Sequence, residues 1–274
     1  MNTYHGMDRA ALDAAYNNSA AVADSAELLA DFQARSDRLR ASRRCHLDLR
    51  YGPAERNRID YFPADERGPV LVFIHGGYWQ MRAKETFSFV ASGPLVHGIH
   101  VALVGYTLAP QISLRGIVDE IDAAIAWLAE RVAEFGGDRE RLYVSGWSAG
   151  GHLTATSLDA SAVAGGLAIS GIYDLTPIQL CYVNDKLNLT DGDVQSLSPL
   201  LQPSQSPKPL VITYGGRELP ELQRQSVVFG AAREKAGAPG RLIQLPHHNH
   251  FTILEELANP QGEITRLVCE LVGV

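Results

Sequence analysis

The sequence predicts an α/β fold, a mostly parallel, doubly wound sheet with helices on both faces, and three observations carry that reading. Residues 70–74 (Val-Leu-Val-Phe-Ile) and 101–104 (Val-Ala-Leu-Val) are continuous apolar runs, the pattern of strands covered by helices on both sides. Across residues 116–135, apolar Ile117, Ile121, Ile125, Leu128 and Val132 recur at helical steps and mark one buried face. Strand-like and helix-like segments then alternate over about 200 residues, which argues for a parallel sheet wound in both directions.

The elements follow in order. Residues 8–42 are rich in Ala, Leu, Arg and Asp, with Leu28, Phe32 and Leu39 near helical spacing, and predict an N-terminal helical arm. Residues 45–51 and 59–62 alternate with period two around Gly52-Pro53, as an opening hairpin would. After the strands at 70–74 and 101–104 and the helix stopped by Gly136-Gly137, further strands are expected at 142–145, 167–169, 210–213 and 242–245. Helices are expected at 221–235 and 262–272. Residues 174–209 carry Pro177, Pro199, Pro203 and Pro207 with little periodicity, and predict a small cap insertion over the carboxyl edge of the sheet. The whole, 1–274, reads as a single domain.

Composition limits the function classes. Of the 274 residues, 46% are hydrophobic and 20% charged, enough for a sizeable core. A formal charge of −7, with no basic run beyond Arg43-Arg44, disfavours nucleic acid and anionic membrane as partners. Cys45, Cys181 and Cys269 are odd in number and widely spaced, which suits free thiols in a reducing compartment, so a cytoplasmic location is expected. The N-terminus has neither a basic start nor an apolar stretch and does not read as a signal peptide. No run of about 18 apolar residues is present to span a bilayer.

Gly146-Trp147-Ser148-Ala149-Gly150 matches Gly-x-Ser-x-Gly between an expected strand and an expected helix, the context of a nucleophile elbow. Ser148 is therefore the candidate nucleophile. His75-Gly76-Gly77-Tyr78-Trp79 follows the strand ending at Ile74, where bare glycine amides serve as oxyanion donors in such enzymes. Gly76, Gly77 and Ala149 are the candidate oxyanion-hole residues. A base should come late in the chain, and His247, His248 and His250 are available, with His250 deepest in its loop. A metal site at these histidines is disfavoured because no cysteine or paired carboxylate lies near them in sequence. For the acid, Glu218 lies in the loop after the strand at 210–213 and Glu221 begins the next helix. Asp174 is a third candidate.

With these residues in place, the chain resembles the kynurenine formamidase (arylformamidase) branch of the hormone-sensitive-lipase-like α/β-hydrolases. The resemblance rests on the His75–Trp79 loop, Tyr106-Thr107-Leu108-Ala109-Pro110, Ser148, Pro220-Glu221 with Arg224-Gln225-Ser226, Asn249-His250-Phe251, and Tyr16-Asn17-Asn18 in the arm. It implies the α/β-hydrolase fold and places the acid on Glu218, where animal members usually carry aspartate. It also implies a serine hydrolase that forms an acyl-enzyme on a small amide or ester, such as the aryl-formamide N-formylkynurenine, and needs no cofactor. Short acyl esters are the alternative, and a non-catalytic ligand receptor on the same fold is a weaker one. Tyr78, Trp79 and Tyr173 are the candidate aromatic substrate contacts. The expected partner is a small molecule, and the sequence leaves a homodimer open.

Overall fold

A computed structural model describes residues 3–202, 204 and 206–274. Its eight strands are β1 (His46–Arg50), β2 (Arg58–Phe62), β3 (Gly68–Ile74), β4 (His100–Val104), β5 (Gly137–Trp147), β6 (Val163–Ile169), β7 (Leu210–Gly215) and β8 (Gly240–Leu245). They form one sheet in the order β1-β2-β4-β3-β5-β6-β7-β8. The β1–β2 and β2–β4 pairs are antiparallel and the others are parallel. This is the α/β-hydrolase fold, and the hairpin and all six later strands expected from sequence are present.

The apolar runs explain why the sheet is wound on both faces. Alternate residues of a strand point to opposite sides, and β3 divides accordingly. Val70, Val72 and Ile74 join one core, with Ile117, Ile121 and Ile125 of the helix Leu114–Arg131. Leu71 and Phe73 join the other, with Leu267 and Val268 of the C-terminal helix Glu263–Val272. Parallel strands need crossovers, and the helices supply them while covering both faces.

Three boundaries differ from expectation. The helix beginning near residue 114 ends at Arg131, and a 3₁₀ turn, Val132–Phe135, carries the chain to Gly136, whose φ of 90° permits the reversal into β5. Between β3 and β4 an unforeseen 3₁₀ segment, Lys84–Ala91, leads into a short helix, Ser92–Val96. The aperiodic stretch 174–209 contains three short helices, Thr176–Gln179, Asn184–Leu187 and Asp191–Leu197, too brief to show a period. Pro203 and Gln205 in that stretch lie outside the described residues.

The arm comprises helices Arg9–Ala15, Asn18–Ala21 and Ser25–Ser42. The last packs on the 3₁₀ segment, with Phe32 stacked on Phe89 at 4.4 Å and Ser36 Oγ donating to the Thr86 carbonyl at 2.8 Å. A charge cluster anchors its far end. Asp60 on β2 has no solvent exposure, and it accepts from Arg40 of the arm, from Lys84 Nζ at 2.8 Å and from the Asp48 amide at 2.9 Å. A carboxylate this deep must be paired to remain charged, so the cluster ties arm, hairpin and 3₁₀ segment together. Among the described residues no helix is long and apolar enough to cross a membrane.

Two histidines lie in the core beside the sheet's carboxyl edge. His75, after β3, donates from Nδ1 to the Gly76 carbonyl at 2.8 Å. His152, in the helix Ala149–Thr156, donates from Nε2 to the Leu197 carbonyl at 2.8 Å. Burial disfavours the charged ring and lowers both from 6.5 to about 4. In the unfolded chain each takes a proton as pH falls through about 6.5, whereas the folded protein resists until about 4. Each histidine's stabilisation is therefore complete above the unfolded value and is lost as pH falls from there to the folded one. Unfolding free energies from chemical denaturation should fall across that window by about 1.4 kcal/mol per pH unit for each site. The His152→Gln variant, which keeps a neutral donor, should show a slope smaller by one proton. An unchanged slope would remove His152 from this account.

Candidate active site

Ser148 stands between β5 and the helix Ala149–Thr156, with φ 59° and ψ −117°. Such a left-handed geometry at a non-glycine residue is strained and must be held by its surroundings. The Ser148 amide donates to the carbonyl of Ile169, the last residue of β6, at 2.8 Å. At Gly150 an added Cβ would fall 2.0 Å from the Ile74 carbonyl oxygen, which no side chain could relieve. Glycine at 150 is thus what lets the elbow helix sit directly against the end of β3.

The three residues expected to act together do meet. Ser148 Oγ lies 3.0 Å from His250 Nε2, and His250 Nδ1 lies 3.1 Å from Glu218 Oε2. A carboxylate can only accept, so Nδ1 carries the ring hydrogen and Nε2 is free to accept from the serine hydroxyl. Trp147, the residue before the nucleophile, fixes the histidine from behind. Its Nε1 donates to the His250 carbonyl at 2.7 Å, and the two rings lie 4.9 Å apart. Ser148 and His250 are each 3% exposed and Glu218 5%, so the group sits away from bulk water.

The competing residues are engaged elsewhere. Glu221, at the start of the helix Pro220–Lys235, accepts from Arg224 Nε at 2.9 Å and lies 3.3 Å from the Tyr16 hydroxyl. Asp174 accepts from the Tyr4 hydroxyl at 2.7 Å. His247 is exposed, and His248 lies 3.0 Å from Glu256. Among the described residues no group of three or more His, Cys, Asp and Glu side chains is arranged to hold a metal ion.

The glycine loop lies against the elbow. A Cβ at Gly76 would fall 2.7 Å from the Trp147 ring and carbonyl and 3.0 Å from the Ser148 Cβ, which places its backbone beside the nucleophile. Gly77, Tyr78 and Trp79 follow with φ of 112°, 50° and 59°. Two consecutive bulky residues with positive φ are rare, and strain of this kind collects at functional segments. Gln80 and Met81 donate their amides to the Gly77 carbonyl and hold this turn closed. Ala149, the third residue of the expected oxyanion hole, opens the elbow helix, where N–H groups have no intrahelical acceptor.

The aromatic candidates occupy different environments. Tyr78 is 8% exposed, donates its hydroxyl to the Tyr16 carbonyl at 2.6 Å, and accepts from Asn18 at 3.1 Å. Trp79 is fully buried with its ring edge-on to His152, and fully buried Tyr173 stacks on Phe229 at 4.3 Å. Both of the latter rings therefore pack against neighbouring side chains. The arm extends across this region. The Tyr16 carbonyl also lies 3.3 Å from the Tyr182 hydroxyl, and Asp13 accepts from the Tyr182 amide at 2.6 Å.

Two polar residues in this network have no site role assigned from the sequence, although Gln225 lies in the Arg224-Gln225-Ser226 match. Gln225 accepts from the amides of Tyr173 and Asp174 and donates to the Asp174 carbonyl, so it holds the chain leaving β6. Ser170, with φ 52°, donates from Oγ to Glu218 Oε1 at 2.6 Å. The dipeptide Ser170-Gly171 marks a turn in the sequence, but nothing local connects it to a glutamate 48 residues away.

The BD-FAE family model matches residues 60–163, the span from β2 to the start of β6. Among solved structures, a putative thioesterase from Silicibacter sp. superposes with a TM-score of 0.84 at 28% identity, covering 94% of this chain and 98% of that one. A hyperthermophilic esterase from Pyrobaculum calidifontis has a TM-score of 0.73 at 18% identity, covering 90% and 91%, and at that identity it shares the fold. The kynurenine formamidase of Salmo salar is 30% identical over 256 residues, 87% of this chain and 85% of the fish protein. The enzyme of Danio rerio matches at the same identity and coverage. Agreement of this extent establishes that the chain belongs to the kynurenine formamidase family of α/β-hydrolases, as an enzyme related to hydrolases of small amides and esters.

Proposed function

We propose that the protein is a serine hydrolase that cleaves a small aryl-formamide, of the N-formylkynurenine type, through a formyl-enzyme on Ser148. The observation that carries this reading is the unbroken line from Ser148 Oγ through His250 to Glu218, with distances of 3.0 and 3.1 Å, beside a strained glycine loop. The chain is taken as one hydrolase domain, with the arm at 8–42 and the cap-like segment at 174–209 as additions around its site.

In this mechanism His250 Nε2 takes the hydroxyl proton as Ser148 Oγ bonds to the formyl carbon, and the carbonyl electron pair moves onto oxygen. Amides of Gly76, Gly77 and Ala149 meet that charge. The C–N bond then breaks and the departing aryl nitrogen receives the proton held on His250. Water, deprotonated by the same ring, clears the formyl ester to give formate and restore the serine. Glu218 selects the tautomer and stabilises the imidazolium without taking its proton. Residues on this chain supply every proton transfer, and the reaction balances with water alone. Tyr78 borders the bound aromatic ring, while Trp79 and Tyr173 shape its pocket from behind.

Close burial of Ser148 favours a small acyl group, and formyl is the smallest. The thioesterase description of the Silicibacter structure supports a second reading, a short acyl ester or thioester. Rates on N-formylkynurenine and on short p-nitrophenyl esters separate them. Under the formamidase reading, kcat/KM on the formamide exceeds that on the esters, and the reverse order overturns the substrate assignment.

In either case Ser148→Ala should lower turnover by about four to six orders of magnitude in a folded protein, with Ser145→Ala as the control of near-normal rate. A Ser148→Ala enzyme with normal turnover would refute the nucleophile assignment.

The two neighbouring glutamates give a sharper comparison. Glu218→Gln should lose about three to four orders of magnitude in turnover, as a triad acid does when it becomes an amide. Glu221→Gln gives up a partly exposed pairing with Arg224, so it should cost about 1 kcal/mol of stability or less and leave turnover nearly unchanged. Turnover and melting measurements on both folded variants decide between them. A crippled Glu221→Gln beside a healthy Glu218→Gln transfers the acid's role.

A further inference from the structure

We infer that Ser170 is a positioning residue for the acid, holding the Glu218 carboxylate so that one oxygen is committed to His250. The inference rests on the triad reading above and extends it to a fourth side chain. Glu218 divides its oxygens. Oε2 faces His250 Nδ1 at 3.1 Å, while Oε1 accepts from Ser170 Oγ at 2.6 Å and from the Gly215 amide at 2.5 Å. A glutamate has one more rotatable bond than an aspartate, so it needs more to fix it in a single pose. Two donors converging on Oε1 supply that restraint and leave Oε2 to the imidazole.

The backbone argues that the hydroxyl, and not merely a turn, is wanted at this position. Ser170 is fully buried and has φ 52°, a conformation that glycine adopts without penalty. Glycine is in fact the next residue, Gly171. A serine kept in a strained conformation, with its hydroxyl on a buried carboxylate, is what a positioning role requires. Its amide donates to the Thr213 carbonyl at 2.7 Å, which fixes Ser170 to the strand that leads into the acid's loop. The preceding residue, Ile169, receives the Ser148 amide. Two consecutive residues at the end of β6 therefore hold the nucleophile and the acid, and they set the distance that His250 spans.

Charge gives the role a distinctive readout. A hydroxyl donor stabilises the ionised carboxylate. Without it, negative charge on Glu218 is less satisfied by other donors and pairs more tightly with the protonated imidazole ring that forms during the reaction. The acid limb of the pH profile of kcat/KM should then move upward.

Ser170→Ala and Ser170→Gly, each assayed in the full chain over a pH series, provide the test. Both remove the hydroxyl, while the glycine variant also relieves the φ strain and guards against failure to fold. Both should lower kcat by about ten- to a hundred-fold with KM little changed, and both should shift the acid limb upward. In a Glu218→Gln background, Ser170→Gly should cost less than about threefold, because the hydroxyl acts through the carboxylate. A Ser170→Gly enzyme with normal kcat and an unmoved acid limb overturns the inference, as does an undiminished loss in the Glu218→Gln background. If Ser148→Ala abolishes turnover while Ser170→Gly changes nothing, only the positioning role falls. If Ser148→Ala retains turnover, the triad reading itself falls.

Discussion

The site depends on crowding at the point where the carboxyl ends of β3, β5 and β6 meet. Adjacent strands of a sheet lie less than 5 Å apart, and here a helix must start in that space. Glycine at 150 allows it, since any Cβ there would overlap the Ile74 carbonyl. The turn is then held by the Ser148 amide on Ile169, and the glycine loop after β3 closes over it from the other side. Ser148, the Gly76–Gly77 backbone and the end of β6 are brought together by strand order. Parallel strands make this possible, because loops that follow neighbouring strands all emerge on one edge.

That geometry places a carboxylate where water hardly reaches, and a buried charge is tolerated only when its oxygens are satisfied. Glu218 meets the condition with three donors from three parts of the fold: the Gly215 amide at the end of β7, the Ser170 hydroxyl after β6 and the His250 ring after β8. Each donor also restricts the pose of the side chain. The surroundings that make the charge tolerable are thus the same ones that orient it. Trp147 extends this order to the histidine by bonding its backbone, so each member of the Ser148–His250–Glu218 line is held by a neighbour outside the line.

Much of this is legible in the sequence, for reasons that differ residue by residue. The strands are visible because burial on both faces leaves unbroken apolar runs, and the helix at Leu114–Arg131 because its buried face repeats. Gly76 and Gly150 are visible because close backbone approach admits no other residue type. The segment Lys84–Ala91 and the three helices within residues 174–209 are not, since 3₁₀ segments and helices of four to seven residues are too short for a period to register. The choice between Glu218 and Glu221 is open to the residues alone, as both are carboxylates at the mouth of one helix. The resemblance selects Glu218, and the fold gives Glu221 to Arg224. Ser170 carries only the local mark of a turn, and nothing that points to Glu218, because its partner is distant in the chain and adjacent only in the fold. Trp79 and Tyr173 are aromatic residues near a functional motif that also pack against His152 and Phe229.

The fold and the chemistry therefore rest on different residues, and that bears on how far kinship reaches. An esterase at 18% identity shares the fold over 90% of this chain, so a fold of this kind is specified by far less than the full sequence. A shared fold says nothing of what enters the site. Selectivity must come from what encloses the nucleophile, and here the arm contributes. Tyr16 and Asn18 bond to Tyr78, whose strained backbone belongs to the glycine loop itself. An arm residue that moves Tyr78 also moves the loop bearing the candidate oxyanion amides. In the proposed mechanism that one side chain would link the arm to the loop that meets the oxyanion, a route from the arm to the chemistry that does not pass through Ser148, His250 or Glu218.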